Sequence, residues 1–188
     1  MLFVDGENFT IRAEKVAQAK GLDLKEGSFY MRDTFIWLPG ITGTEARTPG
    51  HLALQKNATR SFYYTSLAGD DTAINEVKRK LWDLRFNPQV FKKKKKNEKA
   101  KGVDITLSKD LLINAFFNNY DVAVLIAGDG DYVPLVEEIK RLGKVVYLSF
   151  FEKEGLNQEL RLAADSYFEM EPFFVDRWTE VTMGRIPP

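Results

Sequence analysis

The run Val122-Ala123-Val124-Leu125-Ile126-Ala127, broken off by Gly128-Asp129-Gly130-Asp131, constrains this chain more than any other stretch. An unbroken apolar run rich in β-branched residues reads as a strand buried on both faces, the habit of a parallel sheet. In open α/β sheets ligands collect in the crevice outside the carboxyl ends of such strands. Two carboxylates placed there, in a glycine-rich turn, are suited to holding a cation. The start of the chain repeats the arrangement. Met1 to Val4 is a short apolar strand that ends at once in Asp5-Gly6-Glu7-Asn8, with a helix expected over about residues 9–20. Ile11, Val16 and Ala19 are spaced for its buried face, and Gly21 is its stop. Asp5 and Asp129 are therefore expected at the ends of two sheet strands. The plain alternative for Asp5 is a helix N-cap or turn former.

The stretches between these two points alternate strand and helix. Arg60 to Ser66 is rich in β-formers, and residues 70–85 carry Ile74, Val77, Leu81 and Leu84 at helical steps behind a capping Asp70 or Asp71. A short strand is expected over residues 86–91, with Pro88 suggesting an edge. A helix over about residues 105–119 should bury Leu107, Leu111, Leu112, Ala115 and Phe116. After the Asp129 turn come a helix with Pro134 in its first turn, a buried strand over residues 145–151, a short helix capped by Asn157, and a last strand near residues 167–170. Such alternation argues for βαβ units and a parallel sheet. The domain reading is one unit over residues 1–170. It carries an insertion at about 22–57, either a lid or a surface excursion packed by its aromatics, and a tail over 171–188 whose Phe173, Phe174 and Trp178 pack on the outside of the core.

Composition removes several kinds of chemistry. The 188 residues contain no cysteine and one histidine, His51, so disulfides, thiolate sites and multi-histidine zinc sites are excluded within one chain. No nucleophile-elbow motif accompanies His51. Oxygen donors remain, and they favour Mg²⁺ or Mn²⁺. Formal net charge is zero, so attraction to a polyanion must be local. The local source is Lys92, Lys93, Lys94, Lys95, Lys96, Lys99 and Lys101, with Glu98 the one acid among them. Such a block can contact a phosphate backbone; otherwise it is a solvated loop. No apolar run is long enough for a membrane span, and Asp5 interrupts the apolar start too early for a signal peptide. The expected location is cytoplasmic.

The lysines lead into Asp104, expected at a helix start, and Asp110, about 120° further round the helix. The alternatives are an N-cap for Asp104 and a lysine-paired surface acid for Asp110. Asp131 is expected to cap the helix that follows it, which leaves Asp129 less easily explained as structural. Clustered carboxylates repel one another, and a divalent cation relieves that repulsion while stabilising charge on a phosphoryl group. With Asn8 as a neutral donor and the lysines on a polyanion, the pieces make a coherent nuclease site.

The motifs VDGEN (with Asp5 and Asn8), RSFYYTS, KGVDITLSKDLL (with Asp104 and Asp110) and AGDGDYVPLV (with Asp129 and Asp131) resemble, in order and spacing, the NYN domain family, a PIN-like ribonuclease group, in its LabA-like branch. The resemblance implies a Rossmann-like three-layer α/β/α sandwich with a central, mainly parallel sheet, and an RNA-cleaving site dependent on Mg²⁺ or Mn²⁺. It implies Asp5, Asp104 and Asp129 as metal-binding acids, Asp131 as a further acid of the catalytic group, and Asn8 and Asp110 in support. Ala127 stands where the family often has serine, and Tyr132 where phenylalanine is more usual. The expected activity is endonucleolytic rather than exonucleolytic cleavage of RNA, with no membrane partner and a homodimer left open. A non-catalytic RNA-binding module of the same fold is the alternative, opposed by the retention of all five acids. A phosphatase or receiver-like protein is disfavoured because Gly6-Glu7 follows Asp5, and no GxGxxG follows a strand.

Overall fold

The computed structural model describes residues 1–41, 60–93 and 102–185. Along the chain the elements are β1 (Leu2–Asp5), α1 (Gly6–Lys20), the two-residue strands β2 (Tyr30–Met31) and β3 (Phe35–Ile36), β4 (Ser61–Leu67), α2 (Asp71–Asp83) and β5 (Asn87–Lys92). There follow α3 (Val103–Phe116), β6 (Val122–Ile126), a 3-10 turn at Gly130–Tyr132, α4 (Val133–Arg141), β7 (Val145–Phe150), α5 (Gln158–Ala163), β8 (Ser166–Glu169) and α6 (Glu171–Thr182).

The main sheet has the order β5-β4-β1-β6-β7-β8, and every neighbouring pair is parallel. β1 lies in its interior with all four residues buried, Leu2 between Ser61 and Val124. From β1 the chain builds outward through β4 to β5, then returns to the far side of β1 and builds the other way. That reversal opens a crevice between the carboxyl ends of β1 and β6, the place where such sheets bind ligands. Pro88 does sit on an edge strand, where its missing N–H spoils no ladder.

Right-handed crossovers put the first two helices on one face and the next three on the other. The pleat of β4 shows the division within two residues, since neighbouring side chains point to opposite faces. The Tyr63 hydroxyl lies 3.3 Å from Thr10 Oγ1 on α1, whereas the Tyr64 hydroxyl donates to Asp110 Oδ2 on α3 at 3.1 Å. The result is the α/β/α sandwich that the sequence predicts.

Two helix faces differ from expectation. α1 begins at Gly6 rather than Phe9, and it buries Phe9, Thr10, Ala13, Val16 and Ala17, while Ile11 is 42% exposed. The early start is possible because residue 6 has no side chain; a Cβ there would fall 2.0 Å from Tyr63 Cε1. α3 buries a narrow stripe, Val103, Leu107, Leu111 and Ala115, at four-residue steps. Phe116, expected inside, is 71% exposed because it lies a quarter-turn off that stripe.

The described part of the 22–57 stretch contributes to the core. β2 and β3 pair antiparallel, and Phe35, Ile36, Leu38 and Ile41 are fully buried. Trp37 packs edge-on against Phe86 with ring centroids 4.9 Å apart. The remainder of that stretch, including His51, lies outside the described residues. At the other end, α6 buries Phe174 and Trp178, and the Trp178 indole N–H donates to the Asp23 carbonyl at 2.9 Å. Phe9, Phe151, Phe174 and Trp178 form a continuous aromatic column between β7 and α6. Among the described residues no helix is long and apolar enough to cross a membrane.

Candidate nuclease site

An open cavity of about 220 Å³ lies at the switch point, lined by Asp5, Glu7, Asn8, Ile11, Arg12, Val103, Asp104 and Asp129. Its acids come from the ends of β1 and β6 and from the starts of α1 and α3. Asp5 is the last residue of β1 and also the N-cap of α1: its Oδ1 accepts the Asn8 backbone N–H at 3.2 Å. Its Oδ2 accepts from the Tyr132 hydroxyl at 3.1 Å, and that hydroxyl also lies 3.4 Å from Asp104 Oδ1. A hydroxyl has one proton, and here it faces two carboxylates. A further proton or a cation is needed to make both contacts favourable.

The electrostatics agree. Burial, and secondarily the carboxylates of Asp104 and Glu7, push the Asp5 carboxyl up to about 7, against the Asn8 N–H and the Tyr132 hydroxyl, which favour the ionised form. Tyr132, itself buried, is held far above the ordinary phenol range by burial and by the same two aspartates. Asn8 Oδ1 is buried without a hydrogen-bond partner, an acceptor facing a cavity that already holds four carboxylates. An orphaned acceptor of this kind costs about 1–3 kcal/mol unless something donates to it or coordinates it.

The donor set fits a hard divalent cation. Every polar liner except Arg12 offers oxygen, and Mg²⁺ is commonly held through one or two carboxylates with several waters retained. The donors do not converge on one point: among the described residues, no group of three or more acidic or imidazole side chains is arranged so as to hold a metal ion.

The other expected residues fall in different places. Asp129 is the N-cap of the 3-10 turn, accepting the Asp131 backbone N–H on Oδ1 at 3.1 Å. Asp131, expected to cap the helix that follows it, is instead an exposed residue whose backbone N–H is capped by Asp129, and the N-cap position of α4 falls on Tyr132. The reason is geometric: the turn starts one residue after Asp129, so the earlier acid has the reach. Asp110 stands outside the cavity lining, bonded to Tyr64 and 3.2 Å from Lys109 Nζ. Asp104 occupies the first turn of α3, where the N-cap is Gly102 in the left-handed region at φ 102°. Lys92 is exposed and pairs with Asp71 at 3.1 Å. Lys93 is not a solvated lysine: only 9% of its side chain is exposed, and its Nζ lies 2.6 Å from Glu7 Oε1. Glu7 Oε2 accepts from Ser66 Oγ at 2.7 Å, so Glu7 is a neutralised rim residue. Lys94, Lys95, Lys96, Lys99 and Lys101 lie outside the described residues.

Sequence reasoning did not single out Glu7 or Arg12. Helical spacing held the signal for Arg12, four residues beyond Asn8 and hence on its face of α1.

A wholly parallel α/β/α sandwich with carboxylates gathered at its switch point defines an α/β fold of the open, doubly wound kind, and the comparisons narrow it. The model of the NYN domain matches residues 1–171, and the chain belongs to the NYN domain family. That membership gives the chain a PIN-like nuclease fold; NYN domains are generally nucleases. The crystal structure of a protein of unknown function from Vibrio parahaemolyticus shares the fold, with a TM-score of 0.58 and 18% identity over 89% of this chain and 90% of that one. A search of curated proteins by sequence finds no match.

Proposed function

We propose that this chain is a Mg²⁺- or Mn²⁺-dependent ribonuclease of the LabA-like branch, cutting RNA within the strand. The observation that carries the reading is the arrival of Asp5, Asn8, Asp104 and Asp129 from separate elements at one cavity on the sheet's switch point. Asp5, Asp104 and Asp129 would hold the cation, with Asn8 Oδ1 as a neutral donor and Asp131 and Asp110 in support. When bound, the cation supplies charge neutralisation at the attacked phosphoryl group and a more acidic water. The chain's own residues do the rest. The N-cap bond fixes Asp5, the Asp131 N–H fixes Asp129, and the Tyr132 hydroxyl holds Asp5 and Asp104 in register. An open crevice lets a strand lie across it without presenting an end, which favours endonucleolytic cutting.

A second reading, an RNA-binding module with weak or no cleavage, is favoured by the lack, among the described residues, of three or more acids arranged so as to hold a metal ion. One experiment separates the two. Purified protein with Mn²⁺ or Mg²⁺ should cut single-stranded or structured RNA, and Asp129→Asn should reduce cutting to background with an unchanged circular dichroism spectrum. Equal cutting by wild type and by the Asp5→Asn/Asp129→Asn double variant would remove this site from consideration.

A further inference from the structure

Arg12 is the cation in the cavity lining, set among Asp5, Glu7, Asp104 and Asp129, and it makes no salt bridge or hydrogen bond with them or with any other described residue. An arginine among acids ordinarily pairs with one. What keeps this one apart is packing. Its side chain lies against Gly155, in the segment between β7 and α5, where a Cβ would fall 2.5 Å from Arg12 Nε and 2.7 Å from Cζ. Gly155 also has φ +90°, so both the contact and the backbone call for glycine there. The same segment is clamped to the Asp129 turn: the Asn157 N–H donates to the Gly128 carbonyl at 2.8 Å, and a Cβ on Gly128 would meet the Gly155 carbonyl oxygen at 2.5 Å. The half-buried guanidinium is thus held in place from behind by backbone that is itself tied to the acid-bearing loop.

We propose that Arg12 grips a backbone phosphate of the bound RNA beside the carboxylates and sets the strand's register over them. This rests on the reading of the site as one for RNA. A planar fork of donors with no partner matches two phosphoryl oxygens. The neighbouring acids would repel a lone carboxylate ligand, whereas a phosphodiester can be shared between Arg12 and a cation on the acids. Helical side chains lean toward the N-terminus, which directs Arg12 toward Asn8 one turn below and the Asp5 N-cap two turns below.

The test is fluorescence anisotropy with a short labelled single-stranded RNA across a range of salt, using Ca²⁺ in place of Mg²⁺ to suppress cleavage. Arg12→Ala should weaken binding about tenfold and lower the slope of log K against log salt by about 0.7, the share of one phosphate contact on a single strand. Arg12→Lys should keep the slope and lose part of the affinity, and Lys15→Ala, an exposed cation of the same helix, should match wild type. Wild-type affinity and slope in Arg12→Ala would overturn the proposal. So would an equal loss in the alanine and lysine variants with an unchanged slope, since Arg12 would then act by packing alone. If wild type binds RNA with this Arg12 dependence but cuts none with Mn²⁺, the ribonuclease reading fails and the phosphate contact stands. If wild type binds no RNA, both fail.

Discussion

Asp5 does two jobs that pull its chemistry in opposite directions. As an N-cap it is favoured in the ionised form, which accepts the Asn8 N–H more strongly; as a residue 4% exposed beside other acids it is costly to ionise. Burial wins, and its carboxyl is held up at about 7. Because the folded value lies above the ordinary aspartate value, the folded state binds this proton more tightly than the unfolded chain does. The associated stability is fully present below about pH 4 and is lost as pH rises through 7, a swing on the order of a few kcal/mol. In chelator, Asp5→Asn should therefore gain thermal stability relative to wild type between pH 5 and pH 8, because it keeps the shape without the charge. An unchanged difference between the two proteins across that range would contradict this account. Saturating Mn²⁺ should shrink the gap, since a ligand bound only to the folded state adds stability of its own.

Between elements, the site depends on the closeness with which the loop after β7 meets the loop after β6. Gly128 carries that contact: a Cβ there would lie 2.3 Å from Phe150 Cε1 and 2.5 Å from the Gly155 carbonyl oxygen. A phenyl ring can shift; a backbone carbonyl in a clamped turn cannot do so cheaply. Gly128→Ala should cost about 1–3 kcal/mol or more by overpacking, seen as a lower urea midpoint. RNA affinity should fall with it, because the same contact positions Arg12. Lys93 plays the corresponding part on the other rim, joining the end of β5 to the start of α1 through Glu7. Its removal would leave a largely buried carboxylate with only the Ser66 bond, so Lys93→Ala should destabilise the fold by about 1–3 kcal/mol.

For the molecule as a whole, zero net charge means that capture of a polyanion must come from one region. Since Lys93 is committed to Glu7 and Lys92 pairs with Asp71, the lysines left for that task are Lys94, Lys95, Lys96, Lys99 and Lys101. Replacing these five with serine should leave the unfolding midpoint near that of wild type and lower the salt slope of RNA binding by about 0.7 for each lysine that meets a phosphate. An unchanged slope would leave them as solvated chain. Arg12 should behave differently from this group, since its effect on affinity comes from one fixed contact.

The sequence by itself determined the layer plan. Apolar runs of strand length separated by helical periods admit little besides a parallel sheet covered on both faces, and that is what Met1 to Val4, Arg60 to Ser66, Val122 to Ala127 and Val145 to Phe151 specify. It also marked Asp5 and Asp129, because an acid directly after a buried strand is conspicuous in one dimension. The phase of a helix on its sheet was not legible: α1 turned out to bury Phe9 and Ala13, and α3 to expose Phe116, because the face is chosen by what the sheet presents rather than by hydrophobicity along the helix. Nor were the partnerships of charges. Lys93 looked like one of seven equivalent lysines, and Arg12 like any helical arginine, until the crossing of β1, β5 and the β7 loop gave one a carboxylate and kept the other from all of them. Around Asp129, the tertiary structure decided which acid caps the turn, because capping depends on where the first helical turn begins. The strand and its two acids were written in the sequence; the cavity they face exists only where separate crossovers meet.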